Sequence, residues 1–408
     1  MSPDVKLFSE FSLRSVTLKN RIAISPMGTY SAENGMLQPF HHTHYASFAM
    51  GGAGLVMIEQ TSITRRGRVT NGDPGLWEDG QIAGMRALVS HVKSYGAKVG
   101  IQLNHGGRKS SMQRAFRGNG PLTERDLAMG EESWTPLAPS ALPLAEGWLT
   151  PEAINADQLD GLRQAFVAAA QRAVLAGFDL IEIHMAHGYL LQNFLSPLAN
   201  HRDDDYGGSL ENRMRFPLEV VRAVRAVIPG SMPLFARISV TDWIEGGWTE
   251  EDSLVLARAL VEAGVDLIDC SSGGNLRTGA TNSNLGRGPG YQVPFAERIR
   301  REVGVPTAAV GMIRTPQFAE RILAEGKADL IFIGRQALFD PFWAHHAAES
   351  LGVNKGFVDW TPQYGWWLEK WARALAANGE TPMGPEVFPQ SPTAQHETAS
   401  ATKEMARA

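Results

Sequence analysis

Three stretches, AGFDLIEIHM (residues 176–185), AGVDLIDCSS (263–272) and EGKADLIFIGR (325–335), repeat one junction: a helix runs into Gly, and a short apolar, β-rich run follows. Glycine suits the left-handed position after a helix C-terminus, and each run is too continuously apolar for a half-exposed strand. These read as strands buried on both faces. Scanning outward for the same kind of run gives Arg21–Ser25, Gly54–Thr61, Lys98–Asn104, Leu180–Met185, Leu234–Val240, Leu267–Ser272, Thr307–Met312 and Leu330–Gly334. Between them lie helical periods with proper starts. Leu159, Leu162, Phe166, Ala169 and Ala173 form one stripe, Thr249 with Asp252 makes a capping box, and Thr315 precedes a proline suited to a first helical position. Serial βα units without a Rossmann-type GxGxxG after the first strand predict an α/β fold, a (β/α)8 TIM barrel.

Three segments fall outside the repeat. Residues 7–19 alternate like a hairpin and are expected to plug the bottom of the barrel. His105 to Ala156 is a long insertion after the third strand, carrying Trp134 and Trp148, and is expected over the top. The barrel should end near residue 375, and 376–408 read as a C-terminal extension whose polar end, from Pro385, is expected to be disordered.

The 408 residues carry 38 Lys+Arg against 43 Asp+Glu, a net charge of −5, with 43% hydrophobic residues. Nothing here offers a basic field for nucleic acid or anionic lipid, so neither is an expected partner. No run of about 18 apolar residues occurs and the N-terminus lacks an apolar signal region, so a cytoplasmic location is expected. The single cysteine, Cys270, cannot supply an iron–sulfur cluster or a structural zinc site, and it reads as a small core residue.

Barrel active sites sit at the C-terminal ends of strands. There the sequence places Ser25-Pro26-Met27-Gly28-Thr29-Tyr30, Glu59-Gln60-Thr61, Gln102, His184-Met185-Ala186-His187-Gly188-Tyr189 and Arg237. The last two strands end in Val310-Gly311-Met312 and Ile333-Gly334-Arg335, where glycines let backbone N–H groups approach an anion. A phosphorylated cofactor is implied.

SPMGTY, GIQLNHGGRKS, IEIHMAHGYLLQNFLSPLANHRDDDYGGSLENRMRF, ARISVTDW, AVGMI and IFIGRQALFDP resemble, in order and spacing, the signature blocks of the Old Yellow Enzyme family, particularly its bacterial xenobiotic-reductase-like branch. The resemblance implies a barrel that binds FMN noncovalently and reduces activated C=C bonds of α,β-unsaturated carbonyl or nitro compounds with NADPH or NADH. It sets the backbone of Pro26, Met27 and Gly28 against the flavin ring, Gln102 on its pyrimidine edge and Arg237 near N1 and O2, with Gln60 where a small residue is common. Gly311, Met312, Gly334 and Arg335 would hold the phosphate. His184 and His187 would donate hydrogen bonds to the substrate oxygen, and Tyr189 would protonate the α-carbon. Tyr30, Trp366 and Trp367 would frame the substrate. A homo-oligomer, dimer or tetramer, is implied as well. Many members of the branch carry a cysteine two residues before the position of Tyr30. Gly28 stands there, and it is expected to offer only space and backbone, with room for a larger substrate.

Other readings of the same residues stay open. An oxidative dehydrogenase or demethylase would use the same barrel, and so would a flavin redox sensor without turnover. Arg237 could pair with Asp242 or Glu245. A metal held by the two histidines is not expected, because Glu182 is expected on the face of its strand opposite His184. The tryptophans of the insertion could be packing residues.

Overall fold

A computed structural model describes residues 5–275, 287–353 and 356–382. Two compact units divide at Val353 and Asn354. In the first, eight parallel strands close a barrel in chain order: β1 (Ile22–Ile24), β2 (Leu55–Ser62), β3 (Lys98–Asn104), β4 (Leu180–Met185), β5 (Leu234–Ser239), β6 (Leu267–Ser271), β7 (Thr307–Ala309) and β8 (Leu330–Ile333). The expected stripe is buried on the helix Ala156–Ala176, and Thr249 caps Glu250–Glu262 by accepting from the Asp252 N–H. Thr315 makes no such side-chain bond, so proline alone pre-sets that helix start. β7 is shorter than the apolar run suggests. Gly311 (φ +122°) and Met312 (φ +53°) are left-handed, and that turn takes the chain out of the ladder.

Barrel strands alternate between two cores. Side chains facing outward pack under the helices, while Ala23, Leu55, Met57, Leu180, Phe235, Leu267, Ala308, Leu330 and Phe332 fill the lower interior. The antiparallel hairpin Phe11–Leu13/Val16–Leu18 seals that end, Val16 and Leu18 joining the interior cluster. The insertion folds into short pieces, among them the helix Glu124–Ala128 and the pairing of Leu137–Ala138 with Glu152–Ala153. Trp134 packs there: its Nε1 donates to Arg66 O at 2.8 Å, and the Arg68 guanidinium lies 4.6 Å from its ring. Cys270 is buried in β6.

The second unit contains a helix, Pro362–Ala377, on which Trp366 and Trp367 meet edge to face at 4.5 Å, with Lys370 Nζ 3.5 Å from the Trp366 ring. The disorder expected from Pro385 onward lies outside the described residues. Among the described residues no helix is long and apolar enough to cross a membrane.

Candidate active site

The upper ends of the strands open into two adjoining spaces. A cavity of about 500 Å3 is lined by Ser25, Pro26 and Met27 after β1, Arg237 on β5, Gly311 and Met312 after β7, and Gly334 and Arg335 after β8. A pocket of about 100 Å3 is lined by Pro26, Gly28, Tyr30, Gln60, Gln102, His184, His187, Tyr189 and Arg237. Pro26, His187 and Arg237 belong to both. The sequence-predicted residues of the barrel therefore come together. Trp366 and Trp367 belong to the second unit and are described only there.

The larger cavity suits a flavin nucleotide. Ser25 Oγ is buried on its wall with no hydrogen-bond partner among the described residues, so a donor is left for an acceptor there, and Arg237 sets a cation beside it that is held from behind by Asp269. At Gly311 a Cβ would lie 3.0 Å from the Tyr291 ring and would need a strained left-handed residue, so the backbone can face the cavity only without a side chain. Arg335, exposed at the rim, carries the fixed fork that matches a phosphate.

Over the smaller pocket stand three rings. His184 and His187 meet edge to face at 5.1 Å, and His184 and Tyr189 at 5.0 Å. His184 Nδ1 accepts from the Ala186 N–H at 3.2 Å, which leaves its proton on Nε2. Burial, with Arg237 and Lys109 adding to it, pushes the imidazole well below its usual pKa, so it is a neutral donor at pH 7. His187 is likewise held neutral, by burial first and then by Arg237. Its Nε2 lies 2.7 Å from Ser271 Oγ, so this nitrogen is already engaged. Burial raises the Tyr189 phenol well above its usual range, Gln60 opposing through a side-chain hydrogen bond, so Tyr189 keeps its proton.

Two expectations change here. The space at Gly28 is filled, because a Cβ there would come 3.0 Å from Tyr30 Cζ and 3.2 Å from its hydroxyl. Tyr30 is left-handed at φ +55°, and that turn folds its ring back over Gly28. Glu182 does not point away from His184. Residues two apart share a face of a strand, and Glu182 lies inside the barrel, accepting from Gln102 Nε2 at 2.8 Å. Arg237 pairs with neither Asp242 nor Glu245 but lies 3.2 Å from Asp269 on the adjacent strand β6, its register partner. Asp242 instead accepts from Gln192, Ser196 and Asn275.

Sequence reasoning set Glu182 on the wrong face and passed over Asp269, Ser271 and Lys109. The first three were legible as inward positions two residues beyond Leu180, Leu267 and Asp269. Lys109, inside GIQLNHGGRKS, is buried and donates from Nζ to His187 O at 2.7 Å, holding that residue's left-handed backbone. Burial, aided by Arg108 and opposed by Asp242, lowers its ammonium to about 7. Two further buried acids support the loop after β1 and the far side of the pocket. Glu59 accepts from Thr29 N (2.6 Å), Thr29 Oγ1 (2.8 Å) and Tyr45 OH (2.9 Å), while Asp73 accepts from Val69 N at 2.7 Å and Thr70 Oγ1 at 2.8 Å. Among the described residues no cluster of three His, Cys, Asp or Glu groups could hold a metal.

Residues 6–354 match the NADH:flavin oxidoreductase / NADH oxidase family. The NADPH dehydrogenase of Bacillus pumilus (strain SAFR-032) is 47% identical over 353 residues, 86% of this chain and 96% of that protein. The NADPH dehydrogenase of Bacillus subtilis (strain 168) is 45% identical over 351 residues, again 86% and 96%. Among solved structures, morphinone reductase superposes with a TM-score of 0.71 at 28% identity, covering 89% of this chain and 94% of the other. The old yellow enzyme homologue from Zymomonas mobilis gives 0.70 at 26%, covering 88% and 98%.

Proposed function

The chain belongs to the NADH:flavin oxidoreductase / NADH oxidase family and is an FMN-dependent NAD(P)H oxidoreductase of Old Yellow Enzyme type, and from that premise we propose that it reduces activated C=C bonds of α,β-unsaturated carbonyl or nitro compounds. The observation that carries the reading is His184, a neutral imidazole whose Nε2–H is left to donate into a pocket it shares with His187 and Tyr189. Bound FMN would accept hydride from NAD(P)H and pass it to the substrate.

The chain's own residues would do the rest. Pro26, Met27 and Gly28 would carry the flavin ring, Gln102 and Arg237 would lie along its pyrimidine edge, Gln60 would close the far side, and Gly311, Met312, Gly334 and Arg335 would take the phosphate. His184, with His187, would hold the substrate's carbonyl or nitro oxygen. Hydrogen bonds to that oxygen strengthen as negative charge develops on it, so they favour hydride arrival at the β-carbon over mere binding. Tyr189, kept protonated by burial, would give its proton to the α-carbon. Tyr30, lying over Gly28, would press on the substrate from above. A redox sensor would have no use for a positioned proton donor beside the His184 hydrogen-bond donor.

Anaerobic reduction of the holoenzyme with NADPH or NADH followed by mixing with enones and nitroalkenes, and separate anaerobic mixing of the oxidised holoenzyme with secondary amines, test this. Rapid flavin reoxidation by the enones and nitroalkenes is the expected result. Reoxidation by none of them, or flavin reduction by the amines, would sink the ene-reductase reading.

A further inference from the structure

Each of the two polar side chains at the base of the smaller pocket is backed by one buried acid. Gln102 Nε2 donates to Glu182 Oε1 at 2.8 Å, and Arg237 Nε lies 3.2 Å from Asp269 Oδ2. Neither acid has any exposed surface. Glu182 Oε2 and both Asp269 oxygens accept no hydrogen bond from a described residue, and the Arg237–Asp269 contact lacks hydrogen-bond geometry. One guanidinium thus lies against Asp269, and Glu182, two residues before its register partner His184, is within reach of its charge. With both ionised the layer would hold an uncompensated negative charge in a dry interior, where binding a proton is cheaper.

The surroundings agree. Burial, then the charge of Asp269, raises Glu182 against the pull of Arg237 and Gln102, and burial raises Asp269 against Arg237. The groups that face the pair are Gln102 on β3, His184 above Glu182 on β4, and Arg237 on β5, in register with His184 and Asp269. His184 is neutral, and among the described residues Arg237 is the cation whose charge acts on both acids. Two interacting acids in this position titrate as a unit.

We propose that Glu182 and Asp269 form a single proton-binding site whose occupancy follows the redox charge of the bound flavin, with Arg237 and Gln102 as the positioning residues between them. This rests on the reading that FMN lies against Gln102 and Arg237. Hydride delivery brings two electrons and one proton to the flavin and leaves it with one added negative charge. Attraction to that charge draws the guanidinium from Asp269, and one proton from solvent forms an O–H bond on the acid pair. When hydride departs to the substrate, Arg237 returns and the O–H bond breaks, releasing the proton to solvent.

The test is the midpoint potential of the holoenzyme against pH, in the wild type, Glu182→Gln and Asp269→Asn. Gln at position 182 keeps an oxygen for Gln102 to donate to. Each extra proton taken up per two electrons steepens the dependence by about 30 mV per pH unit, because a tenfold change in proton activity is worth 29.6 mV in a two-electron couple. The wild type should be steeper than both variants near neutral pH, by up to that amount. Equal slopes in all three overturn the proposal. Light-induced difference infrared spectra of the wild type give a second decision that needs no variant. A protonated-carboxyl carbonyl band should grow on photoreduction, and its absence also overturns the proposal. Failure to bind FMN at all would instead remove the reading beneath it.

Discussion

The two ends of the barrel interior are built on the same strands and obey opposite rules. At the lower end Leu180, Phe235 and Leu267 meet the sealing hairpin through Val16 and Leu18, and the layer is hydrocarbon. Two residues on, the same strands present Glu182, Arg237 and Asp269, and two further on His184, Ser239 and Ser271. The inward period never changes; only what covers each layer does. Where the chain itself closes the barrel, apolar side chains suffice. Where a ligand would close it, the layers are polar, and folding leaves Glu182 Oε2, both Asp269 oxygens and Arg237 Nε without a hydrogen bond among the described residues.

Substitution in each layer sets the comparison against measurement. Phe235→Ala, at a fully packed position, should destabilise by about 3–5 kcal/mol at every pH, read by urea unfolding of the apoprotein. Arg237→Ala should cost a similar amount, about 3–5 kcal/mol near neutral pH, because it strands two buried acids. The sign of its pH dependence separates them. Stranded acids bind protons more tightly folded than unfolded, so the deficit of Arg237→Ala should shrink as pH falls and grow as pH rises. A parallel pH dependence for both variants would mean that the charged layer is energetically ordinary.

At the top layer, His184→Ala should slow flavin reoxidation by an enone about a hundredfold, which corresponds to roughly 2.7 kcal/mol of transition-state stabilisation. Reduction by NAD(P)H should change far less. Equal losses in the two half-reactions by stopped flow would show that His184 positions nicotinamide as much as substrate.

His105, just beyond β3, is buried and held down to about 3, by burial first and then by the charge of Arg66. Its folded-state pKa lies below its unfolded value, so its contribution to stability is complete above the unfolded pKa and is lost as pH falls through about 6.5 toward the folded value. Between pH 7 and pH 5, His105→Gln should lose about 2 kcal/mol less stability than the wild type. Identical acid sensitivity in equilibrium unfolding would remove His105 from the groups that acid must charge.

The smallest effect belongs to Gly28. Its backbone is not left-handed, so Gly28→Ala should cost below about 1 kcal/mol, all of it from displacing the Tyr30 ring by a few tenths of an ångström. In a Tyr30→Ala background the cost should vanish. A double-mutant cycle on thermal unfolding that shows no coupling would mean that the two residues do not compete for the same space.

The amino-acid sequence by itself determined the barrel, its hairpin and the strand ends that carry the site. Helix stripes, the terminal glycines Gly177, Gly264 and Gly326, and buried apolar runs are short-range signals, each complete within a dozen residues. Tertiary structure decided how the site is wired. The register of β2 against β3 shifts between Ile58 and Thr61, so Gln60 turns into the pocket while Glu59 turns away to Thr29 and Tyr45. Arg237 finds Asp269 across a strand boundary, passing over the nearer Asp242, and Tyr30 folds into the place left by Gly28. Periodicity within a segment is local chemistry. Register, bulges and left-handed turns are set by contacts between residues far apart in the chain, and those exist only once the barrel has closed.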